Sequence, residues 1–313
     1  MACLGMHCRI CGNGTGNVVH EAPEQMYCLP EKFPYLECGA CRSLHIIEIP
    51  ELSKYYPTSY YSYAPQARKR SLKEALKRIR ARHAFRPSLA GAALVALFGR
   101  THLEPWMTLL DAGPDEPILD VGCGAGTNLL VLQYFGFSNI AGVDPYAPGD
   151  AIDCVMRCEV ADIPKRQYRL IMLHHSLEHL VDPLAALDAC KGLLADDGRV
   201  LVRIPLAGKY AWHKYGVNWV QLDAPRHLFL YSEPAFCRTA ERAGFAVERV
   251  LFDSTAYQIL GSEQVAKKVP ISQGLIHSRD EYARMQSFAD ELNAANDGDQ
   301  ACFILTKRRK DAA

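Results

Sequence analysis

The order of apolar and polar positions divides this chain into short apolar runs separated by stretches of helical period. Residues 118–121, 140–144, 155–160, 170–174 and 200–204 are mainly apolar stretches of strand length. Between them, Leu129, Leu130, Leu132 and Phe135 recur on one helix face, as do Leu184, Leu187, Cys190 and Leu194 in 183–194. A helix over 102–110 leads into the first strand, and Gly198 reads as the turn after the helix at 183–194. A further helix is expected over 234–243, a sixth strand over 247–252 and a seventh over 301–306. Residues 253–300 are too long for a hairpin loop, and their pattern gives helices at 256–268 and 279–295, able to cap a site or form a dimer surface. Strands alternating with helices imply an α/β fold, a parallel sheet with right-handed crossovers. In such sheets ligands bind beyond the carboxyl ends of the strands.

The first hundred residues follow another pattern. Cys8-Arg9-Ile10-Cys11 and Cys38-Gly39-Ala40-Cys41 are two C-x-x-C pairs, able to present four thiolates to a tetrahedral structural zinc. Gly12 and Gly39 ease the two knuckles, and short strands fit near 18–20 and 46–49. A segment of 1–50 alone buries little core, so a metal staple makes physical sense; a redox dithiol or packed free thiols are the alternatives. Cys3 and Cys28 fall outside the pairs and read as free thiols. Residues 55–65 are rich in tyrosine with two prolines, either a lid or a packed linker. Residues 66–86 carry nine Arg or Lys against Glu74, with Ala75, Leu76, Ile79 and His83 able to share a helix face. The apolar stretch 88–98 follows. A basic helix before an apolar one can sit at a membrane surface, or form a solvated helix beside a core helix.

Composition narrows the partners. The 313 residues carry 35 basic and 35 acidic side chains, so no global field favours nucleic acid, and no specific nucleic-acid partner is expected. The basic stretch also lacks the interleaved aromatics of a base-stacking surface. No apolar run approaches the roughly 18 residues of a membrane span. No signal-peptide core is visible at the start, and twelve cysteines without one suggest a reducing, cytoplasmic setting, with contact at the inner membrane face open.

The stretch Asp120-Val121-Gly122-Cys123-Gly124-Ala125-Gly126-Thr127 ends a strand in an acid and then turns on alternate glycines. A dinucleotide fingerprint would place Gly or Ala at 127, where Thr stands. The second strand also ends in an acid, Asp144, suited to a ribose diol. With Asp162-Ile163 after the third strand and LHHSLEHL at 173–180 after the fourth, this resembles the class I S-adenosylmethionine-dependent methyltransferases over about 100–310. The resemblance implies a Rossmann-like seven-stranded sheet with helices on both faces and an antiparallel last strand. The expected domains are a zinc knuckle at 1–50, a linker with basic and apolar helices at 51–99, and the methyltransferase domain at 100–310. It also implies cofactor contacts from Asp120, Gly122, Cys123, Gly124, Gly126, Asp144, Asp162, Ile163 and His174.

Chemistry at the methyl group would come from two further clusters. His174, His175, Glu178 and His179 follow the fourth strand; His175 and His179 are candidate bases, while Glu178 and His179 could instead cap the next helix. The loop after the fifth strand holds Trp219, Asp223, Arg226 and His227. With the paired C-x-x-C start, this block resembles a bacterial branch that accompanies sugar and cell-surface polysaccharide biosynthesis. A sugar hydroxyl needs a base, for which His227 and His175 are candidates. Trp219 could stack on a sugar, and Asp223 and Arg226 could bind hydroxyls or phosphate, or form a structural pair. The expected acceptor is therefore a sugar or glycan hydroxyl; the alternatives are an aromatic or quinone-like metabolite, and a non-catalytic zinc-dependent scaffold.

Overall fold

A computed structural model describes residues 7–57, 60–63 and 71–308. In chain order the described elements begin with β1 (Val18–Pro23), β2 (Lys32–Glu37) and β3 (Leu44–Ile46). Three helices follow, α1 (Leu72–Arg82), α2 (Leu89–Phe98) and α3 (Glu104–Leu109). Next come β4 (Ile118–Val121), α4 (Thr127–Phe135), β5 (Ile140–Val143), β6 (Val155–Met156) and β7 (Tyr168–His174). They lead to α5 (Pro183–Leu193), β8 (Leu194–Pro205), α6 (Tyr210–Tyr215), β9 (Phe229–Leu230) and α7 (Glu233–Arg242). The chain closes with β10 (Phe245–Phe252), α8 (Ala256–Ala266), α9 (Arg279–Ala294) and β11 (Gln300–Lys307).

The larger sheet has the order β10-β11-β8-β7-β4-β5-β6. Its seven strands are those expected from the sequence. β5 and β7 flank β4 in parallel, β6 pairs parallel with β5, and β10 pairs antiparallel with β11. Contacts divide the chain into two compact units, and the division cuts β8. One holds Met1–Tyr56, His175–Leu187 and Val202–Ala313; the other holds Pro57–His174 and Asp188–Leu201.

In the second unit, the β4–β5 register pairs Asp120 with Gly142 and Val121 with Val143. The two carboxyl ends are thus level, and Gly122 N donates to Val143 O at 2.8 Å. Ile118, Leu119, Leu129, Leu132, Ile171 and Met172 are all fully buried here, because both faces of a parallel strand pack against other elements. Two sequence expectations change. The strand expected over 155–160 pairs only at Val155 and Met156, since it is the edge strand and Arg157 and Glu159 after it are polar. Gly198 lies inside β8 rather than in a turn. A Cβ there would meet Leu194 Cδ1 at 2.8 Å and Arg169 O at 3.0 Å, so close backbone approach, not a left-handed turn, explains the residue.

In the first unit, the N-terminal segment does not stand alone. The smaller sheet runs β1-β2-β3-β9, and β9 comes from residues 229–230. His45 pairs with Phe229, and Ser232 Oγ donates to Cys41 O at 2.6 Å. The segment expected as a separate 1–50 domain shares a compact unit with the carboxyl-terminal third of the chain. β2 and β9 escaped the sequence pattern: β9 is two residues long and exists only as a partner to β3. Helices α8 and α9 both start on capping boxes, Thr255 with Gln258 and Ser278 with Glu281.

Candidate functional site

The glycine turn of the second unit is built by backbone geometry. Gly122, Gly124 and Gly126 have φ of +72°, +53° and +90°, values that a residue with a Cβ adopts only at a cost. The turn is also crowded: a Cβ on Gly124 would lie 2.6 Å from Ser62 O, and one on Gly126 would lie 2.7 Å from Ile152 Cγ1. Asp144 accepts from Gly124 N at 2.9 Å and from Tyr146 N at 2.8 Å, one bond to each oxygen. A carboxylate has about four lone-pair sites, so two remain for a ribose diol. The half-exposed carboxylate beside three left-handed glycines fits an adenosyl cofactor. Cys123 turns its Sγ toward Gly142, and its thiol donates to Gly124 O at 3.7 Å. Asp162 is exposed in the turn after β6, Ile163 beside it is buried, and His174 is the last residue of β7.

Asp120 stands apart within this group. It is 1% exposed, its Oδ2 has no hydrogen-bond partner, and burial pushes its carboxyl up to about 7. It sits under the turn as a near-neutral acid. The tyrosine-rich segment also reaches the turn: Ala125 N donates to Ser62 O at 3.0 Å. Burial, then Asp144, raises the Tyr63 phenol to about 12. Residues 60–63, read from sequence as either a lid or a packed linker, pack on the glycine turn through Ser62 O. The sequence signal was the tyrosine run itself.

The histidines of the first unit form a different kind of site. His227 is buried, and its Nδ1 donates to Gln221 O at 2.7 Å, which leaves the lone pair on Nε2. That Nε2 lies 4.0 Å from both Glu178 Oε1 and Asp223 Oδ2. His179 stacks edge-on against His227, with ring centroids 4.6 Å apart, and its Nδ1 faces Arg226 O at 2.9 Å and the Tyr56 hydroxyl at 3.0 Å. Burial, then His227, lowers His179 to about 4, so it stays neutral near pH 7. His175 has both ring nitrogens engaged, Nδ1 with Glu178 Oε1 at 3.2 Å and Nε2 with Arg203 at 2.9 Å. Its φ of +51° is a strained value for a histidine and turns it toward Glu178. Burial alone would raise Glu178, but the His175 hydrogen bond and the neighbouring histidines hold it at about 2.

Arg226 and Trp219 are interior. Arg226 has a fully buried side chain and makes a bidentate pair with Asp223 at 3.0 and 2.6 Å, plus a bond to Glu24 at 2.9 Å and one to Tyr55 O at 3.3 Å. Burial opposes the charge of Asp223, and Arg226 overrides it, leaving the carboxyl below its usual range. Of the two readings of Asp223 and Arg226, the structure contains the structural pair. Trp219 is 0% exposed and donates its indole N–H to Asp299 at 2.5 Å, so both ring faces lie within the protein rather than toward an acceptor. Glu24, Tyr35 (whose hydroxyl donates to His227 O at 2.8 Å) and Arg203 were not singled out from sequence. They lie far along the chain from the groups they hold, and no local motif marks them.

In the same unit, Cys8, Cys11, Cys38 and Cys41 bring four Sγ atoms within 4.8 Å of one another. Cys8 and Cys41 are 3.8 Å apart and Cys11 and Cys38 3.5 Å. A tetrahedral zinc with bonds of about 2.3 Å spaces its sulfurs about 3.8 Å apart, so the set fits zinc. Ile10 N and Cys41 N each donate to a knuckle sulfur, Cys8 and Cys38, at 3.4 Å. Gly12 supplies a left-handed turn, whereas Gly39 admits Gly16 O, which a Cβ would meet at 2.4 Å. Cys28 is an exposed free thiol; Cys3 lies outside the described residues.

Residues 67–250 match the family model described as "Methyltransferase domain", and the chain belongs to that family. The fold, the glycine turn and this match place it among the S-adenosylmethionine-dependent methyltransferases. No curated protein matches the chain. Among solved structures it is similar to a TehB-like SAM-dependent methyltransferase from Corynebacterium glutamicum, with 18% identity over 72% of this chain and 98% of that one and a TM-score of 0.40. It is also similar to geranyl diphosphate C-methyltransferase from Streptomyces coelicolor, with 15% identity, 70% and 85% coverage and a TM-score of 0.43. A SAM-dependent methyltransferase from Archaeoglobus fulgidus gives 17% identity, 69% and 98% coverage and a TM-score of 0.44.

Proposed function

We propose that this chain transfers a methyl group from S-adenosylmethionine to a hydroxyl of a sugar or glycan intermediate, with His227 as the base. The observation that carries the base assignment is the His227 Nδ1–H···O=C bond to Gln221, which commits the tautomer and leaves Nε2 free to accept a proton. Glu178 and Asp223, each 4.0 Å from Nε2, would stabilise the imidazolium that results. His175 is the competing base, but both of its nitrogens already have partners. His179, neutral and tied to Arg226 O, acts as a positioning residue beside His227.

Gly122, Gly124, Gly126 and Asp144 would hold the cofactor, with Asp162, Ile163 and His174 at neighbouring strand ends. The cofactor supplies an electrophilic methyl on a sulfonium. His227 Nε2 would accept the proton of the acceptor hydroxyl, making its oxygen the nucleophile toward that methyl. Asp223 and Arg226 support this reading as the brace of the loop that carries His227. We further propose one structural zinc on Cys8, Cys11, Cys38 and Cys41.

Calorimetric titration with S-adenosylhomocysteine tests the cofactor half: Asp144→Ala should bind at least about tenfold more weakly, from the loss of charged hydrogen bonds. Turnover with a panel of nucleotide sugars tests the acceptor half. His227→Ala should lower kcat by about 10² to 10⁴ with cofactor affinity unchanged. Near-native turnover in His227→Ala with a dead His175→Ala would move the base to His175. Activity in both would remove the hydroxyl acceptor from the reading.

A further inference from the structure

We propose that the α1–α2 hairpin is a docking surface for an anionic lipid bilayer, which it meets as an interfacial, non-spanning element. The observation is an apolar face where solvent should find a polar one. On α1, Leu72, Leu76 and Ile79 share one face by their spacing and are 78%, 39% and 39% exposed. On α2, Leu89, Leu97 and Phe98 are 93%, 75% and 65% exposed, and Gly91 alone of its ten residues is buried. An ordinary surface helix turns its apolar stripe inward. Here Leu72 and most of the apolar surface of α2 remain uncovered, and Leu76 and Ile79 are partly so.

The hairpin is held in this form by its own connection. Ser88 N donates to His83 Nδ1 at 3.0 Å, Ser88 Oγ caps Gly91 N at 3.1 Å, and a Cβ on Gly91 would strike His83 Cβ at 2.6 Å. A side chain at 91 would prise the helices apart. Arg80 reaches across to Phe98 O at 3.1 Å. The apolar residues are therefore displayed by a defined structure.

Charge selects the occupant. Between 71 and 100 the basic residues are Lys73, Lys77, Arg78, Arg80, Arg82, Arg86 and Arg100, and the acid is Glu74. Glu74 is already paired with Lys77 at 2.8 Å and accepts from the Tyr134 hydroxyl. Arg68-Lys69-Arg70 precede the hairpin in the sequence. A second copy of the chain would bring like charges together, so self-association through this face is opposed. A nucleic acid would match the charge and leave the leucines and Phe98 without an apolar partner. An anionic lipid surface satisfies both, with acyl chains for the leucines and headgroups for the arginines. No helix among the described residues is long and apolar enough to cross a membrane, which matches a surface mode.

The test is co-sedimentation of the full chain with phosphatidylcholine vesicles, with and without about a third phosphatidylglycerol. The protein should pellet with the anionic vesicles and be released by high salt. The triple variants Leu89→Glu/Leu97→Glu/Phe98→Glu and Lys73→Glu/Arg82→Glu/Arg86→Glu should each bind at least about tenfold less. Their melting temperature and S-adenosylhomocysteine affinity should match wild type, since the changed side chains are exposed. No pelleting with anionic vesicles, or wild-type pelleting by both folded variants, overturns the proposal. So does a wild-type dimer in light scattering that the apolar variant abolishes without any lipid binding, which would make a second copy the occupant. Binding to a single-stranded oligonucleotide that persists in the apolar variant, with no lipid binding, would assign the face to nucleic acid.

Discussion

Asp120 and Glu178 are two carboxylates with the same 1% exposure, each with one oxygen that has no hydrogen-bond partner, yet their environments drive them in opposite directions. Under the glycine turn, burial raises Asp120 to about 7. Among the histidines, burial is overcome by His175, His227 and His179, and Glu178 is held at about 2. Burial sets only the cost of a charge; the partners decide whether it is kept. The glycine-turn region is thus shaped by backbone conformation with a near-neutral acid beneath it. The histidine region is a charged network of side chains drawn from 24, 175–179, 203 and 223–227.

The largest effect that would sharpen this contrast is metal removal. If zinc binds the four cysteines, its apparent binding free energy of about 10 to 16 kcal/mol is folding free energy for that segment. Because Ser232, Phe229 and Arg242 bond to the knuckle and its strands, chelation should loosen the histidine region and spare the glycine turn. Hydrogen exchange with and without chelator reads this out. Protection lost over 7–56 and 202–230 but kept over 118–144 is expected, whereas uniform loss would break the contrast. Elemental analysis near one zinc per chain is the accompanying measurement.

Next in size is Arg226→Ala, which would leave the buried Glu24 and the part-buried Asp223 with their cation gone. Removing one partner of a buried pair costs about 3 to 5 kcal/mol. Urea unfolding should show that loss, and Arg226→Lys should recover only part of it because lysine cannot make the bidentate bond to Asp223. A cost under about 1 kcal/mol would mean that the network is solvated, as surface pairs are.

The most discriminating effect is in pH. The folded carboxyl of Asp120 titrates near 7, above its unfolded value near 3.9, so the stability linked to it is fully present below about 4. It is lost as pH rises toward 7, by at most about 1.4 kcal/mol per pH unit. Asp120→Asn should therefore gain stability over wild type between pH 4 and 7 and hold a constant advantage above it. Glu178 runs the other way. Its folded value near 2 gives stability that is present above about 4.3 and lost as pH falls toward 2, and Glu178→Gln should remove that dependence. Parallel pH profiles for the two variants would refute the opposed assignments.

The sequence by itself determined the sheet. Apolar runs of strand length between helices of period 3.6 leave one economical way to bury both, and the seven runs became seven strands. It also determined the glycine turn and the cysteine set, because both are local: three glycines for three left-handed residues, and two knuckles for four sulfurs. The tertiary structure decided which side chains meet. Glu24 reaches Arg226 across about 200 positions, and Tyr35 reaches His227 across a similar span, with no spacing rule to announce either. It turned Trp219 and Arg226 from acceptor contacts into buried supports, since a residue type and a loop position do not reveal exposure. It extended β8 back to Leu194, because the neighbouring strand, and not the residue preference of Gly198, sets where a strand begins. Local backbone requirements are written in neighbouring residues, whereas buried charge networks depend on distant partners that only the folded chain brings together.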